Sequence, residues 1–360
     1  MQVLIFPNDK SKIGNPYCGL LYSNMEKLGV VTEAFTPMRA VSGRYDIFHL
    51  HWPEYYLSQP PLKALVGTLG LLAIVLWLRC RGTRIVWTAH NTHSHKRLYP
   101  KVEHWFWRVL TPMLDGYIGL SETSVLQVRA QFPALRSTPR SVIPHGDYRG
   151  SYPATVGKSS ARLRLGIAAE ESVVLFFGGI SPYKNVPHLI ETFQRAALAN
   201  STLVIAGCPA SQTDERLLLE TVKESDRIQL HLERIPTDEV QVFFAAADLV
   251  VLPFLEIMNS GSAILALSFD RPVLVPDYGS LPELQAQVGP DWVRTYHGQL
   301  SVAELESGIV WSQNGKRAPQ ANLAGFAWPS IARDTLSMYS QLVASDSSGD
   351  RTSTCDTGRA

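Results

Sequence analysis

"SVVLFFGGISPYKNVPHLIETFQRAALANSTLVIAGCP", residues 172–209, decides the fold. An unbroken apolar run at 173–177 ends in the pair Gly178-Gly179. A run without alternation belongs to a strand covered on both faces. After a short polar turn, Leu189, Ile190 and Phe193 recur at helical spacing within 186–199. A second apolar run, inside 201–209, follows directly. Strand, helix and strand in that order predict parallel strands joined by a crossover helix.

The rhythm extends in both directions. Downstream, 227–235, 248–254 and 271–277 read as strands, and 213–224 and 237–247 as helices, with Thr237 as N-cap. A polar knot, Asn259, Ser260, Gly261 and Ser262, precedes an apolar helix from about Ala263. Upstream, 3–7, 45–52, 84–91, 116–122 and 141–146 read as strands, with a helix near 16–28. The stretch SYPATVGKSS at 151–160 reads as a linker. The expected organisation is α/β: two Rossmann-like parallel-sheet domains at 1–152 and 153–325, and a terminal helix at 326–343. The polar tail, 344–360, reads as disordered.

Composition narrows the function. A chain of 360 residues accommodates two domains, and a net charge of +1 provides no overall basic field for nucleic acid. Cys18, Cys80, Cys208 and Cys355 stand apart, with neither a CxxC pair nor a disulfide framework, which fits a reducing compartment. The first residues, MQVLIFPNDK, read as a strand and not as a signal peptide.

In parallel α/β sheets ligands sit beyond the carboxyl ends of the strands. In the first domain those ends carry Asn8 and Asp9, then His49, His51, Trp52 and Glu54, then His90, Asn91 and His93, then Ser121 and Glu122, then His145, Gly146, Asp147 and Tyr148. Any one of them is readily a structural residue; the cluster points to a site. His49 and His51 share a strand face, and His90, His93 and His95 lie close in sequence, so zinc is a rival. Without an HExxH motif or a cysteine partner, no metal is expected. In the second domain Gly178 and Gly179 let a ligand approach the backbone, and Lys184 adds a compact positive charge. A turn with a solvated lysine is the bland alternative. The knot at 259–262 has two readings of its own: helix capping, or free N–H groups for an anion. With Lys184 it makes a two-sided diphosphate cradle, and Arg234 is placed to lie against a base.

The stretches LFFGGISPYKN, LVIAGCP, DRIQLHLERIPTDEVQVFFAAADLVVLPF and SFDRPVLVPDYGSLPEL, spanning 173–283, resemble the donor domain of GT-B glycosyltransferases of the family-four type. FAWPSIARDTLSMY is similar to the C-terminal helix that crosses back to their first domain. GRYDIFHLHWPEYYL and VIPHGDYRGSYP resemble bacterial exopolysaccharide transferases, notably the xanthan-type mannosyltransferases that use GDP-mannose. The resemblance implies a GT-B fold whose two domains face a cleft, the first for the acceptor and the second for the nucleotide-sugar. It implies that Lys184 contacts the donor diphosphate and that Glu283 falls at an acidic family element. Two departures stand out. Gly179 occupies the place of the usual arginine before the lysine. Ile257 and Leu265 stand where the family carries its two glutamates, with Glu256 one residue out of register.

The implied reaction moves a sugar, mannose from GDP-mannose, onto a lipid-linked saccharide in exopolysaccharide synthesis. Lys184 and the knot would stabilise the leaving phosphates without a divalent metal or other cofactor. An inverting reaction needs a base in the first domain, from Glu54, His90, His145 and Asp147. Glu54 is preferred, as a strand-end carboxylate ionised at neutral pH. The alternatives are a UDP-sugar-dependent transferase with another acceptor, a GT-B sugar-nucleotide epimerase, and a non-catalytic sugar-nucleotide-binding protein.

The uncharged run 64–78, followed by Arg79, Arg81 and Arg84, is either a buried core helix or a helix lying in a membrane face. The next segment interleaves Lys96, Arg97, Lys101 and Arg108 with Tyr99, Trp105, Phe106 and Trp107, which suits an anionic surface. The expectation is a cytoplasmic protein, peripheral on the inner membrane, with Leu72 and Trp105 on the membrane-facing side.

Overall fold

The computed structural model describes residues 1–7, 16–94, 97–222, 225–314 and 317–347. Asn8, Asp9, His95, Lys96 and the tail from 348 onward lie outside the described residues. The chain forms two compact units: residues 1–144 with 328–360, and residues 145–327.

Among the described residues the first unit carries β1 (Gln2–Phe6), β2 (Val31–Ala34), β3 (Ile47–Leu50), β4 (Arg84–Ala89), β5 (Gly116–Gly119) and β6 (Arg140–Val142). They form one parallel sheet in the order β2-β1-β3-β4-β5-β6. The order reverses between β1 and β3, which makes that junction the crevice for a ligand. Val3, Leu4 and Ile5 are fully buried, as unbroken apolar strands require. The helix Trp328–Ser347 returns to this unit. Trp328, Ile331, Tyr339 and Leu342 join Val3, Ile47, Val86 and Ile118 in one core with the helix Tyr17–Glu26. Gly116 permits the closeness: a Cβ there would stand 2.7 Å from Met338 Cε and 2.8 Å from Leu342 Cδ1.

The helix Pro61–Cys80 is apolar on both sides. Leu71, Leu72, Val75 and Leu78 are buried in the unit, whereas Leu62, Leu65, Val66, Leu69, Leu76 and Trp77 are exposed. It is therefore a core helix on one face and an uncovered apolar surface on the other. Leu72, expected outward, points inward; Trp105 is exposed as expected.

The second unit carries β7 (Ser172–Phe177), β8 (Ser201–Ala206), β9 (Ile228–His231), β10 (Leu249–Val251), β11 (Val273–Pro276) and β12 (Val293–Tyr296). Its parallel order is β12-β11-β10-β7-β8-β9, with the reversal between β7 and β10. The opening βαβ reading matches β7, the helix Val186–Arg195 and β8. Strand β9 stops at His231, and the following helix is Val240–Ala246 rather than one capped by Thr237.

The units divide at Pro144/His145 and Ala327/Trp328, whereas the sequence reading placed the divisions at 152/153 and 325/326. Backbone and side-chain bonds explain the earlier first division. Asp147 N–H donates to Phe326 O at 2.9 Å and Tyr148 N–H to Ser268 Oγ at 2.9 Å. Arg149 pairs with Asp270 at 2.5 Å. All of these partners belong to the second unit.

Candidate functional site

In the second unit the carboxyl end of β7 runs into Gly178, whose φ is +130°. A side chain there is excluded twice. A Cβ would stand 3.2 Å from Ser262 Oγ and 3.3 Å from Lys184 Nζ, in a backbone region that favours glycine. Gly207, after β8, abuts Gly178 backbone atoms so closely that a Cβ would overlap them. These contacts gather Gly178, Lys184 and Ser262 at the β7–β10 crevice. Gly179 lies beside them in chain, and its Cβ position is 3.8 Å from Cys208 O.

Lys184 ends the short helical turn Pro182–Lys184, and Asn185 closes the turn with φ +54°, a conformation asparagine tolerates. Leu255 N–H donates to Tyr183 O at 2.8 Å, which ties this turn to the loop after β10. Lys184 Nζ lies 6.0 Å from the ring centres of Phe176 and Tyr183. Among the described residues no carboxylate pairs with it. Removal from water pulls its pKa down to about 8. Lys184 thus places a positive charge at the β7–β10 crevice with no carboxylate partner among the described residues.

Of the two readings of the knot, the structure contains the cap. Ser260 is the N-cap of the helix Gly261–Ser268, and its Oγ accepts from Ala263 N–H at 3.1 Å. The amides of Gly261 and Ser262 belong to the first turn, whose N–H groups have no intrahelical acceptor. The cap thus takes the Ala263 N–H and leaves the first two amides of the turn without an intrahelical acceptor. The helix starts at Gly261, two residues before the expected start. Asn259 is partly buried in the approach loop, where Ser280 N–H donates to Met258 O at 3.1 Å. That bond sets the helix Leu281–Val288, with Glu283 in its first turn, beside the loop. Arg234 is exposed beyond β9, the edge strand of the sheet.

His145 and Asp147 were expected in the first domain and belong to the second unit. A Cβ on Gly261 would stand 3.1 Å from Tyr148 Oη and 3.5 Å from His145 Nε2, so both side chains pack onto the knot. His145 Nδ1 donates to Gly146 O at 2.8 Å, and Nε2 accepts from Tyr148 Oη at 3.3 Å. Burial lowers its pKa to about 4, so the imidazole is neutral. Asp147 Oδ1 accepts from Arg149 N–H at 2.9 Å and shapes the entry to the unit.

In the first unit the β3 and β4 ends meet in a buried polar chain. His90 Nε2 lies 3.1 Å from His51 Nδ1, and His51 Nε2 lies 2.6 Å from Tyr22 Oη. Tyr22 Oη is 2.8 Å from His49 Nδ1, which also contacts Tyr339, and His49 Nε2 is 2.8 Å from Thr88 Oγ1. Trp52 stacks on His90 with ring centres 4.4 Å apart. Burial lowers the pKa of His49 to about 3 and that of His51 well below the usual value. Hydrogen bonds thus engage both nitrogens of His49 and of His51. Among the described residues no three His, Cys, Asp or Glu side chains are grouped to hold an ion.

Glu54 sits in the helical turn Pro53–Ser58 just after β3, and it is buried. Asn91 bonds its carboxyl, but Oε2 has no hydrogen-bond partner among the described residues. Burial pushes the pKa up to about 8, helped by the nearby Glu103 carboxylate. The expectation of an ionised Glu54 at neutral pH is therefore corrected: most of it is protonated there. Ser121 is the N-cap of the helix Glu122–Gln131 and has a structural role.

A family model described as "Glycosyl transferases group 1" matches residues 171–295. The GDP-mannose:glycolipid 4-beta-D-mannosyltransferase of Xanthomonas campestris pv. campestris is 30% identical over 350 residues, which cover 95% of this chain and 93% of that protein. The chain belongs to the group 1 glycosyl transferases.

This glycosyltransferase has the GT-B fold of solved relatives. Sucrose-phosphate synthase from Thermosynechococcus elongatus is 16% identical with a TM-score of 0.70, over 96% of this chain and 99% of that one. Anabaena HepE in complex with UDP-glucose is 16% identical with a TM-score of 0.63, over 97% and 100%. Three residues of the transferase escaped the sequence reading. Gly207 acts through a contact with the distant Gly178, and Tyr22 and Tyr339 meet the histidines from helices at opposite ends of the chain. The glycine at 207, directly after an apolar strand, was the one local signal for any of them.

Proposed function

We propose that this glycosyltransferase moves mannose from GDP-mannose to a lipid-linked saccharide in bacterial exopolysaccharide synthesis. The 30% identity to the Xanthomonas mannosyltransferase over nearly the whole chain carries this reading. The anion seat of Gly178, Lys184 and Ser262 supports it. Lys184 and the first-turn amides at Gly261 and Ser262 hold the diphosphate and stabilise the charge that develops on it as the glycosidic bond breaks. Asn259, Ser260 and Glu283 frame that seat, Gly179 continues its turn, and Arg234 lies towards the base.

Formation of a β-mannoside from an α-configured donor inverts the anomeric carbon, and inversion needs a base on the acceptor hydroxyl. We assign that role to Glu54. A carboxyl with pKa about 8 is a stronger base than an exposed one and is matched to a mildly alkaline pH. His90, stacked on Trp52 at the neighbouring strand end, orients the acceptor beside it. A lipid-borne acceptor places the first unit on the cytoplasmic face of the inner membrane.

Thermal-shift titration with GDP-, UDP- and dTDP-sugars tests the donor, because a ligand that binds the folded state stabilises it by mass action. Stabilisation by GDP-mannose alone, with transfer to membrane lipid extract, is the expected result. A shift with UDP-sugars only would overturn the donor, and a changed sugar in NMR of donor incubated alone would establish the epimerase.

A further inference from the structure

A cavity lies in the first unit at the end of its sheet where β1, β3 and β4 begin. It measures ≈ 740 Å³ and is lined by Arg44, Arg81 and Arg84, with Gln2, Thr83 and Asp46 among the other walls. Three arginines face a single wall carboxylate, Asp46, so the lining is net positive. Asp46 accepts from Gln2 N–H at 2.6 Å, and nearby Asp115 pairs with Arg84 at 3.3 Å and Arg79 at 3.6 Å. Arg81 is held in place: Nη1 donates to Val41 O at 2.6 Å, and its guanidinium lies 5.5 Å from the centre of the Trp77 ring.

Trp77 belongs to the helix Pro61–Cys80, which leads directly into this cavity. The most apolar 18-residue window of that 20-residue helix has a mean hydropathy of 2.0, yet only 33% of it is buried. Its outward side presents Leu62, Leu65, Val66, Leu69 and Leu76 at 48–76% exposure. Around the cavity end, Met38 and Val41 are exposed as well. A continuous apolar surface therefore ends at a basic cavity, with an arginine and a tryptophan at the join. Apolar side chains enter the acyl boundary of a bilayer, tryptophan prefers the headgroup level, and arginines bind headgroup phosphates.

We propose that the Arg44–Arg81–Arg84 cavity is a binding site for the phosphate of an anionic phospholipid headgroup, and that it anchors the exposed face of the helix Pro61–Cys80 on an anionic bilayer. The arginines supply the preference for anionic lipid, and the leucines supply the insertion. The inference deepens the membrane-surface reading above and does not depend on the identity of the donor.

Co-sedimentation of the full chain with phosphatidylcholine vesicles, with and without phosphatidylglycerol, tests it. Wild type binds the anionic vesicles at least about tenfold more tightly. The double variant Arg44→Gln/Arg81→Gln binds both compositions equally, at the wild-type level for the neutral ones. Leu69→Glu weakens binding to both. Thermal midpoints establish that each variant folds, and Arg44→Gln alone, at an exposed position, keeps the test open if the double variant does not. Anionic binding unchanged by the arginine substitutions would overturn the proposal. An equal thermal shift from inorganic phosphate and from short-chain phosphatidylglycerol would also overturn it, in favour of a soluble anion. Mannosyl transfer to a short-chain acceptor in detergent stays at the wild-type rate in the arginine variants. Its absence in wild type would count against the donor reading and leave the vesicle result standing.

Discussion

For the donor-binding role proposed for Lys184, its charge state sets the affinity. Its pKa of about 8 in the free protein rises when a diphosphate provides the missing counter-charge, so binding takes up a proton above pH 8. GDP affinity is therefore highest below pH 8 and falls as pH rises through about 8. Calorimetry in buffers of different ionisation enthalpy will show that uptake, and Lys184→Ala will remove it together with roughly tenfold or more of the affinity. Glu54 runs the other way. Its carboxyl ionises near pH 4.5 when unfolded but near 8 when folded, so stability falls as pH rises between those values. Glu54→Gln abolishes that slope. The variant is more stable than wild type by about 4 kcal/mol at pH 8 and nearly equal to it at pH 4.5, as measured by urea midpoints. Lys184, Gly178 and Ser262 were legible in the sequence because strand ends and glycine pairs are local signals. The charge state of Glu54 was not, because it depends on Asn91, on Glu103 and on burial that no local pattern encodes.

At the scale of the element, the roles proposed for the turn at 259–262 separate stability from binding. Ser260→Ala removes the cap on Ala263 N–H and costs about 1 kcal/mol, with donor affinity nearly unchanged. Gly178→Ala places a methyl group between Ser262 Oγ and Lys184 Nζ and abolishes GDP binding in calorimetry while the chain still folds. The strands of both sheets that lie between two layers of helices were legible as unbroken apolar runs. Strands β2 and β12, at the sheet edges, went unread because VTEA and VRTY are short and half-polar. The helix Pro61–Cys80 was open to two readings, since an apolar sequence does not say which of its faces is covered. The structure leaves one face covered and the other bare.

At the scale of the molecule, the proposed mechanism requires Lys184 protonated and Glu54 ionised, although each residue belongs to a different unit. With both pKa values near 8, kcat/KM follows a narrow bell centred on about pH 8, and Glu54→Gln flattens its acid limb. The return of the final helix to the first unit is equally a property of the whole chain. Gly116→Val drives a side chain into Met338 and Leu342 and lowers stability by about 2 kcal/mol, read as a drop in thermal midpoint. The motif resemblance anticipated that return, but not the divisions at Pro144 and Ala327, which rest on contacts between residues some 180 positions apart such as Asp147 and Phe326. The arrangement also imposes an order on synthesis. A ribosome makes the first 144 residues and then the whole second unit before Trp328, Ile331 and Tyr339 emerge. Until then the early half has an open core, and His49 lacks its tyrosine partner from the last helix. A nascent chain stalled anywhere in the second unit therefore carries an unfinished first unit that chaperones and proteases can recognise. Completion of translation is thus coupled to completion of the enzyme.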